Sequence, residues 1–350
     1  MSRRIPVLIV AGFLGAGKTT LLNYLLRQRQ ARIGVVVNDF GAVNIDAMLV
    51  AGQVDAMVSL GNGCVCCAVD VGELDEMFTR LAQPAHRIDV IVVEASGLAE
   101  PRNLIRMVIG SDNPRIRYGG LIEVVDAEHF QRSRARHPEL AVHLRLADLV
   151  VVNKADRVPA EQLELLRREI GELVRGVPVY ATTHGRLDPG LLFDPPARTA
   201  PTVAQQLGFD ELLDDHDHDG DAGHHHLHDE YESVSFTSTT DLDPRKLVAL
   251  LEDPPPGLFR AKGGVAFAVP DDQRKFLLHM VGRHVVFEPT TWSRGEPRET
   301  RLVLIGSGLD TAAAVTRLRE TVHTTPEPLN DQTLLGVWRY VPRELSDAEV

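Results

Sequence analysis

A glycine-rich loop between an apolar run and a helix-forming run constrains the fold of this chain more than any other feature. Residues 12–19 read Gly-Phe-Leu-Gly-Ala-Gly-Lys-Thr and follow the apolar run 5–11 directly. Glycines let successive backbone N–H groups face phosphate oxygens, the lysine neutralises phosphate charge, and the threonine hydroxyl can ligate Mg²⁺. The spacing is a full Walker A motif, which predicts a nucleotide site between a strand and a helix. The expected nucleotide-binding residues are Gly12, Gly15, Ala16, Gly17, Lys18, Thr19 and Thr20, with Lys18 also catalytic and Thr19 also a Mg²⁺ ligand.

Residues 1–195 alternate apolar runs with segments that have the periodicity of amphipathic helices, which predicts that they form one domain. Most of the apolar runs are continuous Val, Ile and Leu, which is typical of strands in a sheet buried on both faces. The predicted fold is therefore α/β, a doubly wound P-loop NTPase fold with a mainly parallel sheet. Strands are predicted at 5–11, 33–38, 57–60, 89–95, 119–126, 148–153 and 177–182, and helices at 18–29, 71–82 and 159–173. The strand at 57–60 is expected to end beside the glycine-rich loop.

Composition changes after residue 195. Residues 196–232 are predicted to be a flexible linker, since 214–230 reads DDHDHDGDAGHHHLHDE and cannot bury a core. A small α+β domain is predicted at 233–325, followed by a tail at 326–350. Its predicted strands are 233–238, 264–269, 284–288 and 300–305, and its predicted helices are 244–251, 273–280 and 311–322.

Charge and composition limit the partners and the compartment. The formal net charge is −12, so nucleic acid is not expected as a main partner. No apolar run reaches the ~18 residues of a membrane span, and the run 5–11 is interpreted as a first strand rather than a signal peptide. Three closely spaced cysteines indicate a reducing compartment, so a cytoplasmic location without membrane partners is expected. Homo-oligomerisation is left open.

A second nucleotide motif, Asn153-Lys154-Ala155-Asp156, stands at the end of the predicted strand 148–153. The Asp156 carboxylate can accept hydrogen bonds from N1–H and the exocyclic amine of guanine, a donor pair that adenine lacks. Asn153, Lys154 and Asp156 are therefore expected to bind guanine, and Thr182 is expected to add a base contact. Thr183 and His184 are either further base contacts or an ordinary polar loop.

Glu94 closes the apolar run 90–93, which is the usual place for an acidic Walker B residue. We expect a catalytic role, in which Glu94 holds Mg²⁺ through water or orients the attacking water. The alternative is a structural carboxylate that caps the helix predicted at 99–109.

The cysteine cluster predicts a transition-metal site. Cys64, Cys66 and Cys67 are the three cysteines of the chain and fall within four positions. Thiolates suit Zn²⁺, Co²⁺ or Cu(I), and three protein ligands leave a coordination position open for exchange. A redox or merely buried cluster is the alternative. The histidine tract could add a weaker metal site through His224, His225, His226 and His228, or serve only as a solvated acidic tether.

Together, Walker A, Glu94-x-x-Gly97, Asn-Lys-Ala-Asp and Cys-x-Cys-Cys resemble the CobW-type P-loop GTPases over residues 7–309. The second domain, with the Arg-Ala-Lys-Gly run 260–263, Trp292 and 302–306, resembles the CobW C-terminal domain. The family belongs with the maturation GTPases for urease and hydrogenase. Its members are implicated in zinc, cobalt or iron insertion. The resemblance makes 38–46 a switch-like segment and Asp39 a candidate contributor to a metal site. The family commonly reads Asn-Glu-Phe-Gly-Glu there, whereas this chain has Asp39 and Ala42.

These features favour a GTP-hydrolysing metallochaperone that uses GTP, Mg²⁺ and Zn²⁺ or Co²⁺ and delivers the metal to a client protein. Three rival hypotheses remain. One is a cobalt-insertion or other cofactor-assembly GTPase. Another is a non-catalytic metal buffer that uses the histidine tract. The third is a P-loop kinase of a small metabolite, against which the guanine motif argues.

Overall fold

The computed structural model describes residues 4–28, 31–37, 56–59, 71–97, 100–193, 231–270, 272–325 and 329–342. Three groups of predicted site residues lie outside these ranges. They are the cysteines Cys64, Cys66 and Cys67, the residue Asp39, and the histidines His224, His225, His226 and His228.

The N-terminal domain contains one sheet of seven parallel strands among the described residues. Its strands are β1 (Ile5–Gly12), β2 (Ile33–Val37), β3 (Ala56–Ser59), β4 (Val90–Glu94), β5 (Ile116–Asp126), β6 (Leu149–Asn153) and β7 (Val179–Ala181). The helices between them are α1 (Lys18–Arg27), α2 (Val71–Leu81), α3 (Pro101–Ile109), α4 (Phe130–Arg136), α5 (Leu140–Leu146), α6 (Ala160–Val174) and α7 (Pro189–Leu192). This arrangement confirms the predicted doubly wound α/β fold.

Helices cover both faces of this sheet, which explains the continuous apolar runs. On β1, Leu8 and Val10 face one core with α1, while Val7 and Ile9 face the opposite core with α2 and α3. All four side chains are fully buried. A strand with both faces buried has no solvent face on which polar residues would alternate.

The strand order β3-β2-β4-β1-β5-β6-β7 corrects one expectation. The strand before the cysteines, β3, was expected to end beside the glycine-rich loop. Among the described strands it lies at the edge of the sheet, and β2 and β4 separate it from β1. At about 4.8 Å per strand, β3 lies roughly 14 Å from β1 across the sheet.

The C-terminal domain is an antiparallel five-stranded sheet with helices, as predicted for a small α+β domain. Its strands are β8 (Glu232–Ser238), β9 (Leu258–Val265), β10 (Lys275–Val281), β11 (His284–Thr290) and β12 (Thr300–Gly306). Its helices are α8 (Pro244–Glu252), α9 (Thr311–Glu320) and the short α10 (Leu335–Trp338).

Two secondary-structure predictions for this domain were wrong. The helix expected at 273–280 is strand β10, in which Phe276, Leu278 and Met280 alternate into the core. The strand expected at 264–269 begins earlier, at Leu258, and ends at Val265. Residues 329–342 of the expected tail pack on the domain, where Leu334 and Val337 are buried in its core.

The two domains share buried contacts. Phe259, Val281 and Ile305 of the C-terminal sheet join the core formed by α1 and the N-terminal sheet. Beside them, the buried Asp148 carboxylate accepts hydrogen bonds from the Tyr118 hydroxyl at 2.5 Å and from the Leu121 N–H at 2.9 Å. Burial raises the pKa of Asp148 to about 6, and hydrogen bonds from Tyr118 and the backbone, including that of Arg283, oppose this shift. Asp148 therefore ties β6 to both β5 and the β10–β11 turn.

None of the described helices has both the length and the apolar character that a bilayer crossing requires.

Candidate functional site

The glycine-rich loop connects β1 to α1 at the carboxyl edge of the parallel sheet. Gly17 precedes α1 with φ of 102°, and a Cβ there would lie 2.2 Å from Asn153 Nδ2. Only glycine fits this left-handed and crowded position. No side chain caps the start of α1, so the first N–H groups of this helix remain oriented for an anion.

Lys18 and Thr19 begin α1 and lie close to the end of β4. Lys18 Nζ donates to the carbonyl oxygens of Gly12 at 2.9 Å and Phe13 at 3.4 Å, and this side chain is buried. Thr19 Oγ1 donates to Glu94 Oε1 at 2.7 Å. The sequence predictions for Lys18, Thr19 and Glu94 therefore fall on side chains that the fold brings together.

The Thr19–Glu94 pair offers two oxygen ligand groups of the kind that Mg²⁺ prefers. Glu94 is buried at the end of β4, which pairs with β1 through the Val10–Glu94 register. At the start of α3, the side chain of Glu100 accepts from Arg102 N. The catalytic role expected for Glu94 stays a prediction.

Gly97 brings the segment after β4 against the glycine-rich loop. A Cβ at Gly97 would lie 2.8 Å from the backbone nitrogen of Leu14. In Glu94-x-x-Gly97, the acid lies at the end of β4, and the glycine three residues later allows the backbone to approach Leu14 closely. The backbone at Gly97 is therefore packed closely against the glycine-rich loop.

Asn153 joins three parts of the site. Its Nδ2 donates to Ala16 O at 3.0 Å, and its Oδ1 accepts from Gly185 N at 2.9 Å. The side chain is buried, with 2% of its surface exposed. Asn153 therefore holds the glycine-rich loop and the loop after β7 in one geometry, whether or not it touches a base.

Lys154 and Asp156 are presented from an unusual backbone. Lys154 has φ of 61°, in the left-handed region, and its Nζ donates to Asp126 Oδ2 at 2.7 Å. Burial disfavours ionisation of Asp126, but Lys154 and the N–H groups of Glu128 and His129 outweigh it and lower the pKa of that carboxyl. Asp156 follows in a short 3₁₀ turn and is exposed, so its carboxylate is accessible, and its expected contact with guanine stays a prediction.

The Thr182 side chain is not exposed in the way expected of a residue that contacts a base. It is buried, and its hydroxyl donates to the carbonyl oxygens of Arg186 and Thr183. Its carbonyl also accepts from Ala155 N at 3.0 Å. These contacts shape the loop beside the guanine motif, and the expected contact from Thr182 to a base stays a prediction.

Sequence reasoning missed Glu123, a buried carboxyl on β5. Glu123 has 3% of its surface exposed and lines a cavity of about 320 Å³ whose other wall includes loop residues 13–16. Its Oε2 has no hydrogen-bond partner among the described residues. Burial raises the pKa of Glu123 to about 8, and the Lys18 charge opposes the shift. A lone acid inside the apolar run 121–125 was the sequence feature that could have identified it.

Comparison with known proteins identifies both domains. Residues 6–181 match the family described as CobW/HypB/UreG, nucleotide-binding domain, and residues 231–322 match the cobalamin synthesis protein cobW C-terminal domain. "Zinc chaperone CobW" of Sinorhizobium sp is 30% identical, over 87% of this chain and 93% of that protein. "Zinc chaperone CobW" of Pseudomonas aeruginosa is 33% identical, over 90% of this chain and 91% of that protein.

A crystal structure described as Zn(II)-bound YjiA GTPase from E. coli is 21% identical, covers 92% of this chain and all of that chain, and has a TM-score of 0.44. Because the nucleotide-binding match spans about half of the chain and the second match spans its C-terminal domain, this chain belongs to the CobW family.

Proposed function

We propose that this protein is a GTP-hydrolysing metallochaperone. It binds zinc, or less favourably cobalt, through Cys64, Cys66 and Cys67, and it transfers the metal to a client protein under control of the bound nucleotide. The observation that carries the proposal is the Thr19–Glu94 hydrogen bond, because it joins the loop for phosphate to a carboxylate suited to hydrolysis. The names of the two relatives, both zinc chaperones, support the choice of metal.

GTP binding follows from groups already in place. The N–H groups at the start of α1 and the Lys18 ammonium face the phosphates, and Lys18 exchanges the Gly12 and Phe13 carbonyls for phosphate oxygens. Asp156 accepts from the guanine edge, and Asn153 keeps the loops around the base in register. Adenine lacks the two donors that the Asp156 carboxylate would accept from, so the site favours GTP over ATP.

Hydrolysis requires a water in line with the γ-phosphorus and charge compensation on the phosphates. Thr19 would hold Mg²⁺, which neutralises phosphate charge when it is bound. Glu94 orients the attacking water, whose oxygen bonds to phosphorus as the bond to the β-phosphate oxygen breaks, so that GDP and phosphate form. Intrinsic turnover of such sites is slow, on the order of 10⁻⁴–10⁻² s⁻¹.

The metal motif begins five residues after the end of β3 at Ser59. Five residues span at most about 17 Å, which exceeds the roughly 14 Å between β3 and β1. Five residues are therefore long enough to span the distance from β3 to the glycine-rich loop after β1. Zinc held by thiolates in a zinc finger is bound by roughly 10–16 kcal/mol, so a nucleotide-controlled release would be needed for delivery.

The experiment is a Zn²⁺ titration against a chromophoric chelator with GTP analogue, GDP or no nucleotide. We expect zinc affinity to differ at least tenfold between the GTP-analogue and GDP states. Cys66→Ser should weaken zinc binding at least a hundredfold. Glu94→Gln should lose GTP hydrolysis while it retains GTP binding, whereas Glu161→Gln, the same change on an exposed site of α6, should retain both. Equal zinc affinity in all nucleotide states would refute nucleotide control.

The rival functions are separated by three further measurements. Deletion of 214–230 should leave metal-responsive GTP hydrolysis intact, whereas a metal buffer would lose its capacity. ATP should fail to compete with GTP, against the kinase hypothesis. Metals and proteins that co-purify from the native cell distinguish zinc delivery from cobalt insertion or other cofactor assembly, and also identify the client.

A further inference from the structure

A cleft of about 740 Å³ lies where the two domains meet, away from the nucleotide edge. The N-terminal domain lines it with Arg4 and with residues 108–114 and 116–118, from the end of α3 to the first part of β5. The C-terminal domain lines it with residues 283–286 at the start of β11 and residues 339–342. Any molecule in this cleft would touch both domains.

The cleft has the opposite charge from the chain as a whole. Its lining includes four arginines and a histidine, and Asp112 is the single carboxylate of the described lining. The five are Arg4, Arg117, Arg283, His284 and Arg339. The whole chain carries 49 acidic residues against 37 Lys and Arg. A concave surface of one sign focuses its potential and attracts groups of the other sign.

The positions of these side chains favour an extended anionic ligand. Arg4 Nε lies 3.5 Å from Glu288, and Arg339 pairs with Glu252, and neither carboxylate lines the cleft. Arg117 on β5 and the exposed Arg283 in the β10–β11 turn come from opposite domains. A ligand with spaced carboxylates could therefore bind one arginine of each domain.

Apolar groups between the charges indicate a peptide rather than a phosphate polymer. Ile109, with 49% of its surface exposed, lines the cleft together with Val286 and Val341. Phosphate backbones offer no apolar side chains that could contact these groups. A segment that alternates acidic and apolar residues complements both features.

We propose that this interdomain cleft binds an acidic segment of a partner protein, with its carboxylates on Arg117 and Arg283. Bidentate arginine–carboxylate contacts provide the directional part of the recognition. The inference is independent of the metal and of the nucleotide, because no predicted site residue lines the cleft.

The test is fluorescence anisotropy with a fluorescein-labelled octapeptide that alternates glutamate and valine. The full chain should bind it, with affinity that falls as salt rises. Arg117→Ala/Arg283→Ala should raise Kd at least tenfold. The matched control Arg132→Ala/Arg168→Ala removes two exposed arginines elsewhere and should change Kd less than twofold. Arg283→Ala alone, in an exposed turn, tests the cleft if the double variant folds poorly, and should still raise Kd about threefold.

Several outcomes would overturn the proposal. These are an equal loss in the control variant, equal binding of a peptide with glutamine in place of glutamate, or no effect of Arg283→Ala. An RNA decamer that binds more tightly than the peptide and depends on Arg283 would assign the cleft to nucleic acid instead. Removal of 343–350 should leave Kd within twofold, whereas a tenfold gain would show that the chain's own C-terminal residues compete for the cleft.

Discussion

Glu123→Gln offers a quantitative test of the chemistry behind the glycine-rich loop. The carboxyl is buried on β5, borders a mostly apolar cavity and has an oxygen without a hydrogen-bond partner among the described residues. Burial raises the pKa of Glu123 from 4.5 to about 8 in the folded protein, against the opposing charge of Lys18. Glutamine has nearly the same shape and carries no titrating proton.

The direction and size of the effect follow from proton linkage. The folded state holds a proton that the unfolded chain releases above about pH 4.5, so the stability tied to Glu123 is complete below that pH. It is lost at about 1.4 kcal/mol per pH unit as pH rises toward 8. Between pH 5.5 and 8 the wild-type chain should therefore lose roughly 3 kcal/mol that Glu123→Gln retains.

The assay is urea unfolding followed by far-UV circular dichroism, without nucleotide, at pH 5.5 and pH 8. The quantity compared is the difference in unfolding free energy between Glu123→Gln and wild type at each pH. Glu161→Gln removes an exposed carboxylate of the same kind and controls for the pH dependence of the whole chain. A stability difference that is equal at the two pH values would show that Glu123 ionises normally in the folded protein.

Other substitutions test the rest of the site and the domain contact. Gly17→Ala should abolish nucleotide binding in a calorimetric titration, because the added Cβ would clash with Asn153. The control Gly176→Ala has a φ of 85° and no atom within 4 Å of the added Cβ. It should retain nucleotide binding and lower only Tm, because the left-handed backbone costs about 1–2 kcal/mol. Asn153→Ala should weaken GTP and GDP binding and lower the free energy of unfolding in urea by about 1–3 kcal/mol. The reason is that the buried Ala16 carbonyl and Gly185 N–H lose their hydrogen-bond partner. Tyr118→Phe should destabilise the chain by about 1–3 kcal/mol in the same assay, and unchanged stability would contradict a structural role for its bond to Asp148.

The N-terminal fold could be predicted from sequence because its strands are buried on both faces and carry uninterrupted apolar runs. The motif residues were also identifiable, since Lys18, Thr19 and Glu94 stand at fixed distances from strand ends. The prediction failed for β10, where Lys, Leu and Met favour a helix locally. Pairing with β9 and β11 overrides that preference, and burial then alternates through Phe276, Leu278 and Met280.

Some features could not be read from the sequence because they depend on which elements become neighbours. The strand order places two strands between β3 and β1, and no local pattern encodes that separation. The Asp148 network depends on the packing of Tyr118 and the Arg283 turn against β6. The carboxyl of Asp148 looks like an ordinary acid in the sequence, and only the fold shows that it is buried.

Charge at the nucleotide site explains how an acidic chain can bind a triphosphate. At long range the net charge of −12 opposes a phosphate ligand, so attraction must be local. Asp126 is neutralised by its ion pair with Lys154. Glu123, with a pKa near 8, is mostly protonated at neutral pH and leaves the Lys18 charge available to phosphate. The fold therefore removes negative charge from the vicinity of the glycine-rich loop by pairing one carboxyl and keeping another protonated. An ionised Glu123 would instead compete with the phosphates for Lys18.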